Sequence, residues 1–250
     1  MRYALRARAL SKRFDGFVAN DGIDFSLPYG ARHALIGPNG AGKTTFVDLL
    51  TGVLSPTSGD VFLGEERVTP LPQHERVRRG MTRTFQINTL FPGLTVLESV
   101  VLAICQRKGL IGVWYSDVAR QRDEIDEARE LLESLLLLRQ ADTVTRCLPY
   151  GKQRLLEIAL ALATRPMVLL LDEPAAGIPS GARTELFGVL GRLPRDVSIL
   201  LIEHDMDIVF RFAERITVLA NGSVLAEGSP EEIAADARVR EVYLGGVERG

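Results

Sequence analysis

Short apolar runs at residues 34–36, 167–171 and 197–202 punctuate the chain, with little polar alternation inside them. Runs of this length predict buried strands, and the second, continuously apolar, predicts a central strand of a parallel sheet covered on both faces. The first residues follow another rule. Leu5, Ala7, Ala9 and Leu10 alternate with Arg2, Arg6 and Arg8, and residues 3–27 predict two strands around a turn, with Asp15-Gly16 and Asp21-Gly22 marking reversals. Val61-Phe62-Leu63 predicts a further strand ending at Gly64, so that an antiparallel layer flanks the parallel unit. From 95 to 138 the apolar period becomes helical, strongest in 123–138, which predicts a helical lobe between about 86 and 165. After Pro174 the α/β pattern returns, with helices over 180–193 and 206–212. Asn221-Gly222 between two apolar runs predicts a type I′ hairpin. Ser229-Pro230-Glu231-Glu232 predicts the start of a last helix, with serine as N-cap.

The chemistry sits at the ends of the predicted buried strands. Gly37-Pro38-Asn39-Gly40-Ala41-Gly42-Lys43-Thr44 fits G-x-x-x-x-G-K-[ST] directly after the strand at 34–36. Its glycines let the backbone wrap phosphates, and the helix beginning at Thr44 turns its N–H groups and positive end toward them. Lys43 is expected to reach the β- and γ-phosphates and the Thr44 hydroxyl to ligate Mg2+. Asp172 and Glu173 close the strand at 167–171, on the edge where open α/β sheets bind ligands. Asp172 suits a direct or water-mediated contact to the metal, and Glu173 suits polarising the water that attacks the γ-phosphate. Taken alone, an acidic pair after a strand reads equally well as a helix cap; a phosphate loop in the same chain favours the catalytic reading. His204 follows the strand at 197–202 and lies at the same edge.

Composition narrows the setting. A formal net charge of −2 over 250 residues supplies no broad basic surface for nucleic acid or anionic lipid. Cys105 and Cys147 form neither a metal-ligand spacing nor a disulfide framework, which suits a reducing cytosol. No apolar run approaches the ~18 residues that cross a bilayer. The alternation around Arg2, Arg6 and Arg8 predicts an amphipathic strand and not a signal peptide.

GPNGAGKTT, RTFQ at 83–86, LPYGKQRLLEIA at 148–159, LLLDEPAAG at 169–177 and YLG at 243–245 together carry a resemblance that covers essentially the whole chain. The protein resembles the ATPase subunit of an ATP-binding cassette (ABC) transporter and, within that superfamily, the ATP-binding subunits of branched-chain amino acid importers. The resemblance implies an α/β fold: a P-loop NTPase ABC ATPase core with a flanking antiparallel β layer and an inserted helical subdomain. A single ABC domain would comprise 1–86 and 166–250 as the nucleotide-binding core and 87–165 as the helical subdomain. Phe14 matches the aromatic that stacks on adenine, with Val18 near the same ring, although an aromatic in a strand otherwise reads as core. Asn39, Gly40, Ala41, Gly42, Lys43, Thr44 and Thr45 would hold the phosphates of ATP. Gln86 would join Thr44 and Asp172 around Mg2+, contact the attacking water and link the site to the helical lobe. His204 would bond the γ-phosphate and orient Glu173, so that Glu173, His204, Gln86 and Lys43 form the catalytic set. Tyr150, Gly151 and Lys152 would receive the phosphate of ATP bound to a second ABC ATPase, identical or related.

Further partners implied are two membrane-spanning permease subunits and, indirectly, a periplasmic or extracellular solute-binding protein, with no nucleic acid. The expected location is peripheral, at the cytoplasmic face of the cell membrane. Residues 90–115 are the expected contact to the membrane subunits; Trp114 and Tyr115 read equally as core of the helical lobe. Three departures from the superfamily pattern stand out: Pro149 for serine, Tyr150 for glycine, and Pro179 for the aspartate that follows the acidic pair. Losing a hydrogen bond to a charged group is worth roughly 1.5–3 kcal/mol, so a weaker contact across the dimer is expected. Lipid or lipopolysaccharide exporter ATPases share much of the pattern; Ala175-Ala176-Gly177 and the YGKQR segment favour import. A soluble ABC ATPase acting in translation or DNA repair would carry two cassettes or a long coiled-coil insertion, and neither is present.

Overall fold

The computed structural model describes residues 2–84, 90–110 and 122–244. Gln86, Trp114, Tyr115 and Gly245 therefore lie outside the described residues. The elements in chain order begin β1 (Tyr3–Phe14), β2 (Phe17–Pro28), β3 (Arg32–Ile36), α1 (Lys43–Thr51), β4 (Ser58–Leu63), β5 (Glu66–Arg67), α2 (Gln73–Arg78) and β6 (Met81–Thr84). Helices α3 (Val96–Arg107), α4 (Arg122–Ser134) and α5 (Tyr150–Ala163) follow, then β7 (Val168–Asp172), α6 (Ser180–Leu190), β8 (Ser198–Ile202) and α7 (Met206–Phe212). The hairpin β9 (Arg215–Ala220) and β10 (Ser223–Gly228) leads to α8 (Pro230–Ala235) and α9 (Ala237–Leu244).

Two compact units result. The first takes the chain up to Arg83, Met167–Glu173 and the chain from Pro194 onward. It holds a four-stranded sheet in the order β2-β1-β4-β5 and a six-stranded sheet in the order β10-β9-β3-β8-β7-β6. The former is antiparallel; β9, β3, β8 and β7 run parallel. The apolar runs explain this, because every residue of β3 and β8 and four of the five in β7 are buried, as strands covered on both faces require. Side chains alternate between the faces. Leu35, Leu170 and Leu200 join Phe46, Leu49 and Leu50 of α1 and Leu5, Leu10 and Phe25 of the antiparallel layer in one core. Ala34 and Ile36 face the other way, toward Val209 of α7 and Ile233 of α8.

Asp15-Gly16 makes the expected turn between β1 and β2. Asp21-Gly22 does not reverse the chain. Leu10 pairs with Ile23 and Lys12 with Asn20, so Asp21 and Gly22 together oppose Ser11, a β-bulge in which the Gly22 N–H donates to Ser11 Oγ at 2.8 Å. The β9–β10 hairpin has φ of 50° at Asn221 and 78° at Gly222, the two positive values that type I′ demands. Ser229 caps α8 in a capping box with Glu232.

The second unit takes residues 84–166 and 174–193. Thr95 and Glu98 form a capping box at the start of α3, and Arg107 at its end grips both Glu127 oxygens of α4 at 2.8 Å and the last carbonyl of α5, Ala163 O, at 2.7 Å. Helix α4 stops at Ser134, short of the predicted 138. Leu136 adopts φ 56°, the Leu137 N–H donates to Leu132 O and the Leu136 N–H to Glu133 O, a Schellman ending built on leucine where glycine is usual. Residues 174–193, read from sequence as part of the core, group here with the helices. A Cβ placed on Gly151 of α5 would lie 3.1 Å from Ala182 Cβ of α6, and Lys152 pairs with Glu185 at 2.7 Å, so α6 is packed and bonded to α5.

Candidate functional site

The phosphate loop is built by backbone necessity. Gly37 follows β3 at φ 155°, and a Cβ there would lie 2.3 Å from Leu219 O; Gly42 sits at φ 94°, where a Cβ would meet Ala19 O at 2.5 Å. Only glycine fits either place. Gly42 is the N-cap of α1 and, among the described residues, no side chain caps that helix. Its first-turn N–H groups and positive end therefore face the loop, as anion sites require. A cavity of about 320 Å3 opens there, walled by Asn39, Gly40, Ala41, Gly42, Lys43, Thr44 and Thr45 with Phe17, Ala19 and Glu173. The Lys43 ammonium donates to Gly37 O at 2.5 Å and Pro38 O at 3.0 Å. Burial lowers its pKa, while the carboxylates of Glu173 and Asp172 act in the opposite sense. Asn20, fully buried on β2, braces the loop from below by donating to Gly42 O at 3.2 Å; nothing in the sequence pattern singled it out.

Of the acidic pair at the end of β7, Glu173 lines the cavity and Asp172 does not. Glu173 has φ 44°, uncommon for a residue with a Cβ, and its N–H donates to Ile202 O at 2.9 Å. That bond joins the turn after β7 to β8 and brings His204 alongside, with Nδ1 3.7 Å from Glu173 Oε1 and 3.8 Å from the buried Glu203 carboxylate. Asp172 is held differently. Arg83 Nη2 lies 2.5 Å from Asp172 Oδ2 while Nη1 of the same guanidinium lies 2.7 Å from Asp48 Oδ1 on α1. Burial works against the Arg83 charge, but these two carboxylates more than offset it and raise its pKa. Arg83 stands in the RTFQ segment, where the chemistry of Gln86 drew the sequence reading; Asp48 carried no signal at all.

The aromatic wall of the cavity is Phe17, 65% exposed, and not Phe14. Phe14 pairs with Phe17 across the turn, is 43% exposed, and has the Lys12 ammonium 5.0 Å from its ring centroid. Val18 is likewise absent from the wall. In the second unit, Tyr150 opens α5 behind Pro149, which as N-cap supplies no side-chain bond. The Tyr150 hydroxyl accepts from Arg154 Nη2 at 2.6 Å and donates to Ala176 O at 3.3 Å, and its ring lies against Gly177. Gly151 is thus the second residue of the helix, and Lys152 points to Glu185 and to Leu136 O. No cluster of three or more His, Cys, Asp or Glu side chains suited to a metal occurs among the described residues.

A phosphate loop with an acidic pair beside it is common to many nucleotide-binding proteins, and comparison with known proteins narrows the choice. The ABC transporter family profile matches residues 20–176, and the branched-chain amino acid ATP-binding cassette transporter profile matches 223–249. The chain is 37% identical over 248 residues to the high-affinity branched-chain amino acid transport ATP-binding protein BraF of Pseudomonas aeruginosa, covering 96% of this chain and 97% of the relative. It is 39% identical over the same shares to LivG of Escherichia coli K12, a protein of the same description. Among solved structures, the ADP conformation of MJ1267, an ATP-binding cassette of an ABC transporter, superposes with a TM-score of 0.84 at 31% identity, covering 98% of this chain and 99% of that one. The chain belongs to the ABC transporter family, as a member of its branched-chain amino acid transport ATP-binding proteins.

Proposed function

We propose that the chain hydrolyses ATP as the energising subunit of an importer for branched-chain or related amino acids. The observation that carries this is the convergence of the α1 N-terminus, Lys43 and Glu173 on one cavity of about 320 Å3. The Thr44 hydroxyl and the Asp172 carboxylate are hard oxygen donors, and so few protein ligands suit Mg2+, which keeps waters and substrate phosphates in its shell. When bound, the metal would neutralise charge developing on the β- and γ-phosphate oxygens. Lys43 would leave the carbonyls of Gly37 and Pro38 for those phosphates, a short swing of a flexible side chain. Glu173 would accept a proton from the attacking water, held at that edge by its bond to Ile202, with His204 close enough to orient it. Phe14 or Phe17 would supply the stacking face for adenine, and Gln86 would reach the metal or the water.

The signature residues Tyr150, Gly151 and Lys152 would receive the phosphate of ATP held by a second ABC ATPase, through the positive end of α5. The assembly would include two permease subunits and would place this chain at the cytoplasmic face of the membrane; no helix among the described residues is long and apolar enough to cross it. The test is Glu173→Gln. Turnover should fall at least 100-fold while ATP binding persists and an ATP-bound dimer accumulates in size-exclusion chromatography. Hydrolysis at the wild-type rate would overturn the assignment. Uptake of labelled leucine by membranes holding the full complex, lost with the same variant, tests the solute class.

A further inference from the structure

Arg83 belongs to no part of the mechanism just described, yet its guanidinium sits between two carboxylates, one on α1, whose first turn lines the nucleotide cavity, and one at the last position of β7, next to the cavity-lining Glu173. Its side chain is 13% exposed, with Asp172 at 17% and Asp48 at 20%. Nη2 holds Asp172 Oδ2 at 2.5 Å at the end of β7, and Nη1 holds Asp48 Oδ1 at 2.7 Å on α1, the helix whose first turn faces the phosphates. A planar fork fixes both contacts at once, which an ammonium cannot do. Nearby, Lys43 is attached to the loop carbonyls and not to these acids. Arg83 is therefore the group that sets which oxygen of Asp172 remains free and how far the end of β7 stands from α1.

We infer that Arg83 is a positioning residue for the divalent cation: by occupying Asp172 Oδ2 and anchoring itself on Asp48, it presents the other Asp172 oxygen to the metal of the bound nucleotide. This rests on the reading of Asp172 as the metal-facing carboxylate. Partners that orient a metal-ligating carboxylate typically change metal affinity by ~10–100-fold when removed. Arg83 also places one positive charge between the Asp48 and Asp172 carboxylates, 2.7 Å from the first and 2.5 Å from the second.

The experiment measures Mn2+ binding to the full chain by the electron paramagnetic resonance signal of free Mn2+, with saturating AMP-PNP. In parallel, a fluorescent ATP analogue is titrated in EDTA. Arg83→Gln should weaken Mn2+ binding about tenfold or more and leave metal-free nucleotide binding within a factor of two of wild type. Arg83→Lys should lose most of the same affinity, because lysine cannot span Asp48 and Asp172 together. Asp48→Asn, nearly isosteric and thus a safeguard against misfolding, should weaken Mn2+ binding by a smaller factor. Unchanged or tighter Mn2+ binding in Arg83→Gln would overturn the proposal, as would an equal loss of nucleotide binding in EDTA. Asp172→Asn separates the two readings: if it binds Mn2+ as wild type does, the metal role of Asp172 falls. If it binds weakly while Arg83→Gln does not, only the role of Arg83 falls.

Discussion

Replacing Arg76 with methionine should unsettle the helix that carries the phosphate site, from its far end. Arg76, on α2, is 1% exposed, and its guanidinium donates to four carbonyl oxygens: Leu49 at 2.7 Å, Leu50 at 2.6 Å, Thr69 at 2.9 Å and Leu71 at 3.0 Å. The first two belong to the last turn of α1, where carbonyls have no partner within the helix. Burial pushes the Arg76 pKa down to about 10, so the group is still charged at neutral pH and acts on the negative end of α1. Four bonds from a charged donor are worth roughly 1.5–3 kcal/mol each, against a desolvation cost of several kcal/mol for the buried cation. Methionine removes both terms but leaves the carbonyls unsatisfied, each at about 1 kcal/mol or more, so a net loss of about 3–5 kcal/mol is expected. At ~2–4 °C per kcal/mol for a chain of this size, the midpoint of thermal unfolding should drop by about 6–20 °C. Arg76→Lys should recover little, since one ammonium cannot span four acceptors on two segments. Gly52→Ala should also destabilise, because a Cβ at φ 80° would lie 2.7 Å from Arg76 Nε. Urea and thermal unfolding measure all three; an Arg76→Met chain within 1 kcal/mol of wild type would refute the account.

Burial lowers the His33 pKa to about 4, with Glu227 raising it and Arg215 lowering it further. The unfolded chain, at about 6.5, then binds the proton more readily. Stability is full above pH 6.5 and declines as pH falls toward 4, by about 3 kcal/mol in total. Urea midpoints for wild type and His33→Asn between pH 7.5 and 4.5 should converge on acidification. Tyr150→Phe removes the bonds to Ala176 O and Arg154 and should cost about 1–2 kcal/mol locally, read as roughly tenfold faster amide exchange around 176–178. Phe14→Ala and Phe17→Ala compared by ATP affinity identify the base platform; the stacking ring should cost about 1–2 kcal/mol, and equal, negligible effects would remove both.

The sheet was legible because its strands are extreme. Continuous apolar runs such as Ala34-Leu35-Ile36 of β3, Val168-Leu169-Leu170-Leu171 of β7 and Ile199-Leu200-Leu201-Ile202 of β8 have few other places to go, and the P-loop spacing then orders them by chemistry. The antiparallel layer was less so. Asp21-Gly22 reads as a turn by composition, but Leu10 and Ile23 stay paired across it, and a bulge absorbs the extra residue without reversing the chain. The end of α4 escaped for a related reason: a run of leucines carries no stop signal, and Leu136 takes the left-handed position usually held by glycine. Phe14 and Phe17 differ by three residues and flank one tight turn, so pattern alone cannot say which ring lines a cavity.

Residues whose chemistry is tied to a motif carry a signal in the sequence, and the residues that brace them do not. Lys43, Asp172 and Glu173 are marked by spacing, because their roles demand particular functional groups next to a strand end. Arg83, Asp48, Asn20 and Arg76 are bound to that machinery through partners between 22 and 89 residues away in the chain, and arginine in a sequence reads as surface until its acceptors are known. The two arginines illustrate a common arrangement. Arg76 satisfies the C-terminal carbonyls of α1, and Arg83 ties the body of the same helix to the strand that ends in Asp172. Helix α1 is therefore held at its far end by a buried cation and at its middle by a partly buried one, which leaves its first turn, with Lys43 and Thr44, the part that faces the nucleotide cavity. A helix so anchored can bind and release phosphate repeatedly without being reordered each time, which is what a cycle of ATP turnover requires of it.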